Sequence, residues 1–197
     1  EGHTGSKPVL QVQQGSNDGQ KGVLPSLVPE LSQKFRNFAV CAVVKDEDRY
    51  IHEWVEYHLL LGFNSIHIFD NSNNGSAKIA YLPQQFGTVV KVNHAPGDGK
   101  QLKIYNLFVE HIARVSVDPM WVAFIDVDEF IVLHRHSTIQ SFLSEVAPSG
   151  GAVALNRVQF GSNGNIQYEP APVLGRFTAR KALAEKVFKS IVFIPDV

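Results

Sequence analysis

Apolar residues along this chain follow two periods, one typical of strands and one typical of helices. Strand-length apolar or alternating runs occur at 38–44, 65–69, 88–93, 121–125, 152–160 and 186–194. Helical spacing between them is marked by Ile51, Val55 and Leu59, by Ile104, Phe108, Ile112 and Val115, and by Ile139, Phe142, Leu143 and Val146. Strands that alternate with helices through residue 146 predict an α/β fold, a Rossmann-type, mainly parallel mixed sheet with helices on both faces.

Residues at the ends of these segments predict where the helices begin and end. Asp48 is the predicted N-cap of the first helix, and Gly62 is its predicted terminator. Ser76 is placed to cap a short second helix that Pro83 would stop. Ser137 is the predicted cap of the helix that follows the fourth strand.

Composition divides the chain into two parts. Residues 1–34 are rich in glycine, serine and glutamine and predict a flexible N-terminal tail, whereas 35–197 predict one domain. The 18 basic and 19 acidic residues indicate no general attraction to nucleic acid or to an anionic membrane. Cys41, the lone cysteine, lies in an apolar run and is interpreted as a small core hydrophobe.

Two aspartates follow the most apolar predicted strand. Asp126 and Asp128 come directly after 121–125 and are two residues apart, so in an extended chain their carboxylates would share one side, while Glu129 would face away. Such a pair suits a hard divalent cation, which in turn binds phosphate oxygens. The alternative is that the two acids only solvate the end of a strand.

Polar side chains also follow the first and second strands. Lys45, Asp46 and Glu47 end the first, and Asp70 ends the second, where it could instead form an Asx turn into Asn71. Ligands of open parallel sheets bind beyond the carboxyl ends of the strands. The convergence therefore predicts a nucleotide-like ligand at this edge.

Five motifs in fixed order carry a family resemblance between about residues 38 and 194. They are Val43–Glu47, Ile51–His58 with Gly62, Ile68–Ser72, Gln101 with Tyr105 and Asn106, and Trp121–Phe130. Together they resemble glycosyltransferase family 92 and its family 2-like relatives. The resemblance implies a GT-A fold and transfer, with inversion, from a UDP-sugar such as UDP-galactose to a glycan acceptor, assisted by Mn²⁺ or Mg²⁺.

The resemblance also implies roles for individual residues. Asp126 and Asp128 match the metal-binding pair, Asp70 matches an acid near uracil and ribose, and Gln101 matches the start of the helix beneath the nucleotide. Lys45, Asp46 and Glu47 match the loop after the first strand, which in the family lies against the nucleotide base. Phe160–Ser162 and Lys189–Ser190 match later motifs around the sugar and the acceptor.

Further expectations concern what lies outside these motifs. In the family a general base and a third metal ligand, often histidine, lie in the carboxyl-terminal part, so we expect both beyond Val197. Relatives are commonly Golgi-lumen enzymes anchored by an amino-terminal helix, which this chain does not contain.

Two alternative functions stay open: an inactive nucleotide-sugar-binding relative or fragment, and a magnesium-dependent nucleotidyl or phosphoryl transferase. The latter lacks support from any Gly-rich phosphate-loop motif.

Overall fold

A computed structural model describes residues 7–11, 35–115, 118–167 and 169–195 of this chain. Its strands are β1 Lys7–Gln11, β2 Asn37–Val44, β3 Ser65–Asp70, β4 Val90–His94, β5 Met120–Phe124, β6 Ile131–Val132, β7 Ala152–Phe160 and β8 Phe188–Ile194. Its helices are α1 Ile51–Leu60, α2 Ala77–Phe86, α3 Gln101–Val115, α4 Ile139–Val146 and α5 Val173–Arg176, with a 3₁₀ turn at Gly87–Val89. Over the described residues the strands form one sheet in the order β4-β3-β2-β5-β8-β7-β1-β6.

Half of this sheet is parallel and has the strand order of a doubly wound, Rossmann-like α/β fold. β4, β3, β2 and β5 are parallel neighbours, so the chain first moves outward from β2 to β4 and then returns to the other side of β2. α1 and α2 pack on one face and α3 packs on the other. The predicted fold class is confirmed, and the reversal of direction leaves a crevice between the carboxyl ends of β2 and β5.

Two hydrophobic clusters lie on opposite faces of the sheet because side chains alternate along each strand. In β2, Val40, Ala42 and Val44 join the larger cluster under α1, α2 and α4, whereas Ala39 and Cys41 join the smaller cluster under α3. Cys41 is fully buried, as its interpretation as a core hydrophobe predicted, and burial raises the pKa of its thiol.

Several predicted helix ends differ from the observed ones. Asp48 does not cap α1; its carboxylate accepts a hydrogen bond from the Ser76 hydroxyl, and Tyr50 stands at the N-cap position. Pro83 lies inside α2, which continues to Phe86, so the predicted stop at Pro83 is wrong; the proline removes one helical hydrogen bond and its ring crowds the Ile79 carbonyl, but the helix does not end there. Ser76 does cap α2, since its Oγ accepts from the backbone N–H of Ile79.

The other half of the sheet is mainly antiparallel. β8 pairs with β5 and β7, and β1 pairs with β7. β1 lies within the segment predicted as a flexible tail, so residues 7–11 correct that prediction; the rest of 1–34 lies outside the described residues. Across the described ranges, none of the helices combines the length and apolar character needed to cross a membrane.

Candidate functional site

The loops that follow β2, β3 and β4 are hydrogen-bonded into one unit at the carboxyl edge of the sheet. Lys45 Nζ lies 2.6 Å from Asp98 Oδ1, which joins the loop after β2 to the loop after β4. The Asp46 N–H donates to Ser72 Oγ at 3.1 Å, and Asn71 Nδ2 donates to the carbonyls of Ala95 and Gly97, each at 2.6 Å. Three separate segments are therefore held at one edge; Lys45, Asp46 and Asp70 were predicted there, whereas the loop after β4 was not.

Asp70 is the buried organiser of this unit. Its Oδ1 accepts from the Ser72 N–H at 3.0 Å, and its Oδ2 accepts from the Ser76 N–H at 2.6 Å. The first contact is the Asx turn that the sequence left open as an alternative. Burial alone would raise the pKa of Asp70, but the hydrogen bonds from Ser72 and Ser76 outweigh it, and the pKa lies below its ordinary value. Asp70 is thus ionised, and both of its carboxylate oxygens accept hydrogen bonds from the loop that follows β3.

Asp126 lies two residues beyond β5 and is held from two sides. Gln101 Nε2, in the first turn of α3, donates to Asp126 Oδ1 at 2.9 Å. Lys189 is the second residue of β8, which pairs with β5 up to Phe124. Its Nζ lies 2.5 Å from Asp126 Oδ2. The predicted residues Gln101 and Asp126 are therefore in direct contact, and Lys189 is an additional member of the site.

The backbone after β5 turns instead of staying extended. The Glu129 N–H donates to the Asp126 carbonyl at 3.0 Å, which closes a turn over Asp126, Val127, Asp128 and Glu129. The extended geometry considered for Asp126 and Asp128 therefore does not apply. Glu129 does not face away, as alternation would have placed it; its Oε2 accepts from the Asp126 N–H at 3.2 Å. This corrects the prediction for Glu129.

Glu129 is completely buried and belongs to a row of alternating charges. Its Oε2 lies 3.1 Å from Lys189 Nζ, and its Oε1 lies 3.9 Å from Arg157 Nη1. Arg157 Nε in turn donates to Glu185 Oε2 at 2.7 Å. Burial raises the pKa of the Glu129 carboxyl, and the neighbouring Lys189 opposes that rise. The row joins the turn after β5 to β7 and β8.

The carboxylates of this turn are the type of ligand that a hard divalent cation prefers. Asp126 and the half-buried Asp128 offer oxygen ligands, and Mg²⁺ or Mn²⁺ is commonly held by one or two carboxylates while phosphates and water fill the other positions. Each Asp126 oxygen already accepts one hydrogen bond, but a carboxylate oxygen has a second lone pair. Among the described residues no group of three or more His, Cys, Asp or Glu side chains is arranged to hold a metal.

A shallow groove of about 410 Å³ lies between α3 and β8 and is lined in part by Gln101 and Lys189, the two residues that contact Asp126. Gln101, Lys189 and Ser190 form its polar end, and Tyr105 and Phe124 line its apolar part. Its volume lies within the usual range of small-molecule sites. The two residues that contact Asp126 are thus also walls of an open space.

The predicted site residues fall into two adjacent groups. Lys45, Asp46 and Asp70 belong to the loop unit, with Glu47 directly after them, and Gln101, Asp126 and Asp128 lie at the ends of α3 and β5. Sequence reasoning did not find the contacts of Lys189, Glu129 and Arg157. A lysine in the mainly apolar strand β8, and a glutamate followed by apolar residues, were signals that could have indicated them.

Two curated proteins are similar to this chain in sequence. The chain is 28% identical over 173 residues to a glycosyltransferase family 92 protein from Oryza sativa subsp. japonica, covering 86% of this chain and 29% of the relative. It is 27% identical over 197 residues to a glycosyltransferase family 92 protein from Ricinus communis, covering 96% of this chain and 33% of the relative. The resemblance that the five motifs carry is therefore confirmed.

This similarity concerns part of the relatives, since the chain spans about a third of the length of the curated proteins it matches. No protein-family model matches the chain. Among solved structures, the crystal structure of 4-diphosphocytidyl-2C-methyl-D-erythritol synthase has a TM-score of 0.44 and 12% identity, and the match covers 80% of this chain and 75% of that chain. Likeness at this level assigns no function.

Proposed function

We propose that this chain is the nucleotide-sugar-binding part of a metal-dependent glycosyltransferase. The similarity to family 92 proteins supports glycosyl transfer in general. The observation that carries the proposal is the position of Asp126, at the carboxyl end of β5, across the crevice from Lys45 and Asp46 at the end of β2. In open α/β sheets this reversal point is where nucleotides bind.

The proposed donor is a UDP-sugar, such as UDP-galactose, and the proposed acceptor is a glycan. Asp126 and Asp128 would hold Mn²⁺ or Mg²⁺, which when bound supplies Lewis-acid neutralisation of the leaving diphosphate. Gln101 orients the Asp126 carboxylate through its hydrogen bond. Lys45, Asp46 and Glu47 form the loop proposed to lie against the base, and Asp70 fixes the neighbouring loop through Ser72 and Ser76.

Reaction with inversion and a Golgi-lumen location remain proposals that follow from the family resemblance. Inversion needs a group that takes the proton of the acceptor hydroxyl. No side chain of the site described above is assigned to that step. The proposal for this chain therefore concerns donor and metal binding first, and transfer by the whole protein second.

Calorimetric titration of UDP with and without Mn²⁺ tests the proposal, with Asp126→Asn as the decisive variant. We expect UDP to bind more tightly in Mn²⁺, and Asp126→Asn to weaken that Mn²⁺-dependent binding by roughly 10- to 100-fold, because a ligand carboxylate becomes an uncharged amide. Glu110→Gln is the matched control, since it removes one exposed carboxylate from α3 and should leave the affinity unchanged.

Two further measurements separate the rival functions. Tighter Mg²⁺-dependent binding of ATP or CTP than of UDP would favour a nucleotidyl or phosphoryl transferase and contradict the proposal. Hydrolysis or transfer of the sugar from UDP-galactose by this chain would refute the view that it only binds the donor. If neither Mn²⁺ nor the Asp126→Asn substitution changes the affinity for UDP, the metal has no place in the proposal.

A further inference from the structure

The Lys189 ammonium forms an ion pair with Asp126, the carboxylate that is proposed to bind the metal. Its Nζ lies 2.5 Å from Asp126 Oδ2 and 3.1 Å from Glu129 Oε2, and its side chain is only 19% exposed. The Lys189 ammonium is thus enclosed by two carboxylates, and a divalent cation approaching Asp126 would be repelled by it.

Glu129 gives Lys189 a second partner that does not depend on Asp126. The Glu129 carboxylate is completely buried, and the other cation near it, Arg157, is 3.9 Å away and donates to Glu185. Removing Lys189 from Glu129 would leave a buried charge poorly paired, which is costly. An ammonium that lost Asp126 would consequently remain anchored on Glu129.

The groove beside Asp126 offers a place for another acceptor of the Lys189 hydrogen bonds. Lys189 and Ser190 form part of its wall together with Gln101, and the ammonium has three rotatable donors. A diphosphate bound next to Asp126 would bring several anionic oxygens to this wall. These oxygens would give the ammonium new acceptors in place of Asp126.

We propose that Lys189 changes partners when the donor binds. Without donor it neutralises Asp126 and keeps divalent cations from binding there tightly. With donor present, Asp126 would hold the cation, and Lys189, still anchored on Glu129, would contact the diphosphate. This inference rests on the proposed function and adds a consequence to it: metal and diphosphate bind with positive coupling, and Lys189 is a positioning residue for both.

The test measures two affinities: that of Mn²⁺ alone, and that of UDP in EDTA and in saturating Mn²⁺. The variant is Glu129→Gln with Lys189→Met, compared with Glu129→Gln alone, so that no buried carboxylate is left without its lysine. We expect the double variant to bind Mn²⁺ alone about 5-fold or more tightly than the single variant, and its Mn²⁺-dependent gain in UDP affinity to fall by a similar factor.

Three controls make the outcome specific. Lys189→Arg, which keeps the charge, should retain weak Mn²⁺ binding and most of the coupling. Lys78→Met, which removes an exposed charge from α2, should change neither affinity. Uridine, which lacks phosphate, should bind with the same affinity in EDTA and in Mn²⁺.

The possible failures are distinguishable. If the wild-type chain binds UDP in a Mn²⁺-dependent way, yet loss of Lys189 leaves the affinity for Mn²⁺ alone equal or weaker, then Lys189 is only structural and this inference is wrong. If the wild-type chain shows no Mn²⁺-dependent binding of UDP, the proposed function fails, and the partner exchange fails with it.

Discussion

The buried histidine His58 is held in its neutral form by its surroundings. His58 is completely buried on the inner face of α1, where its Nδ1 donates to the Trp54 carbonyl at 2.8 Å. Its Nε2 has no hydrogen-bond partner among the described residues. Burial lowers the pKa of His58 to about 4, against the slight opposing effect of the hydrogen bond to Trp54. The imidazole is therefore neutral throughout the physiological range.

This burial predicts a loss of stability in mild acid. Between pH 6.5 and about 4 the unfolded chain protonates His58 and the folded chain does not, so the free energy of unfolding falls as the pH drops through this window. His58 can contribute up to about 3 kcal/mol to that fall. We expect His58→Phe to flatten the pH dependence of urea unfolding between pH 7 and 4.

The control for this prediction is the same substitution at an exposed histidine. His134→Phe should leave the slope of stability against pH as it is in the wild-type chain. His67, whose pKa burial and the nearby Lys91 also lower to about 4, remains in both variants and preserves part of the slope. Equal slopes in all three chains would contradict the assignment to His58.

At the scale of elements, the cap of α4 distinguishes what local sequence can predict from what it cannot. Ser137 and Thr138 are both good N-cap residues, and the sequence favoured Ser137. The structure uses Thr138: its Oγ1 accepts from the Ser141 N–H at 3.2 Å, and Ser141 Oγ accepts from the Thr138 N–H at 3.4 Å. The buried position of Ile139 at the first turn sets this register.

Alanine substitution at the two candidate caps tests this assignment. Thr138→Ala should lower the free energy of unfolding by about 1 kcal/mol, because the first turn of α4 loses its side-chain acceptor. Ser137→Ala, one residue earlier and exposed, should change stability by less than about 0.5 kcal/mol. The reverse order in denaturant titrations would show that Ser137 is the working cap.

Elements with a long periodic pattern agreed closely with prediction, whereas contacts between distant residues did not follow from the pattern. α3 begins at the predicted Gln101 and β7 has the predicted bounds Ala152–Phe160. Val115, predicted on the apolar face of α3, is 58% exposed because it lies at the last turn, past the edge of the smaller cluster. The Asp126–Lys189 contact joins residues 63 apart, and no local periodicity encodes it.

At the scale of the whole molecule, the row of charges joins the parallel and antiparallel halves of the sheet. Arg157 in β7 lies between Glu185 and the buried Glu129, and Lys189 in β8 lies between Glu129 and Asp126. The site at the end of β5 is thus built from both halves. Its sequence signals were clear only in the parallel half, where the loops carry clusters of acids and amides.

The role of Arg157 as a link between the halves can be measured directly. Arg157→Met keeps much of the apolar stem but removes the shorter of the two side-chain hydrogen bonds to Glu185, which retains Lys181 at 3.4 Å. Glu129 keeps Lys189 as its remaining near cation. We expect a loss of about 1 to 3 kcal/mol in the free energy of unfolding, as for other hydrogen bonds to charged groups. Arg180→Met, at an exposed position, should cost much less. Because Asp126 and Lys189 both remain in place, Mn²⁺-dependent UDP binding should weaken far less in Arg157→Met than in Asp126→Asn. Equal losses would mean that the row acts on the ligand as one unit.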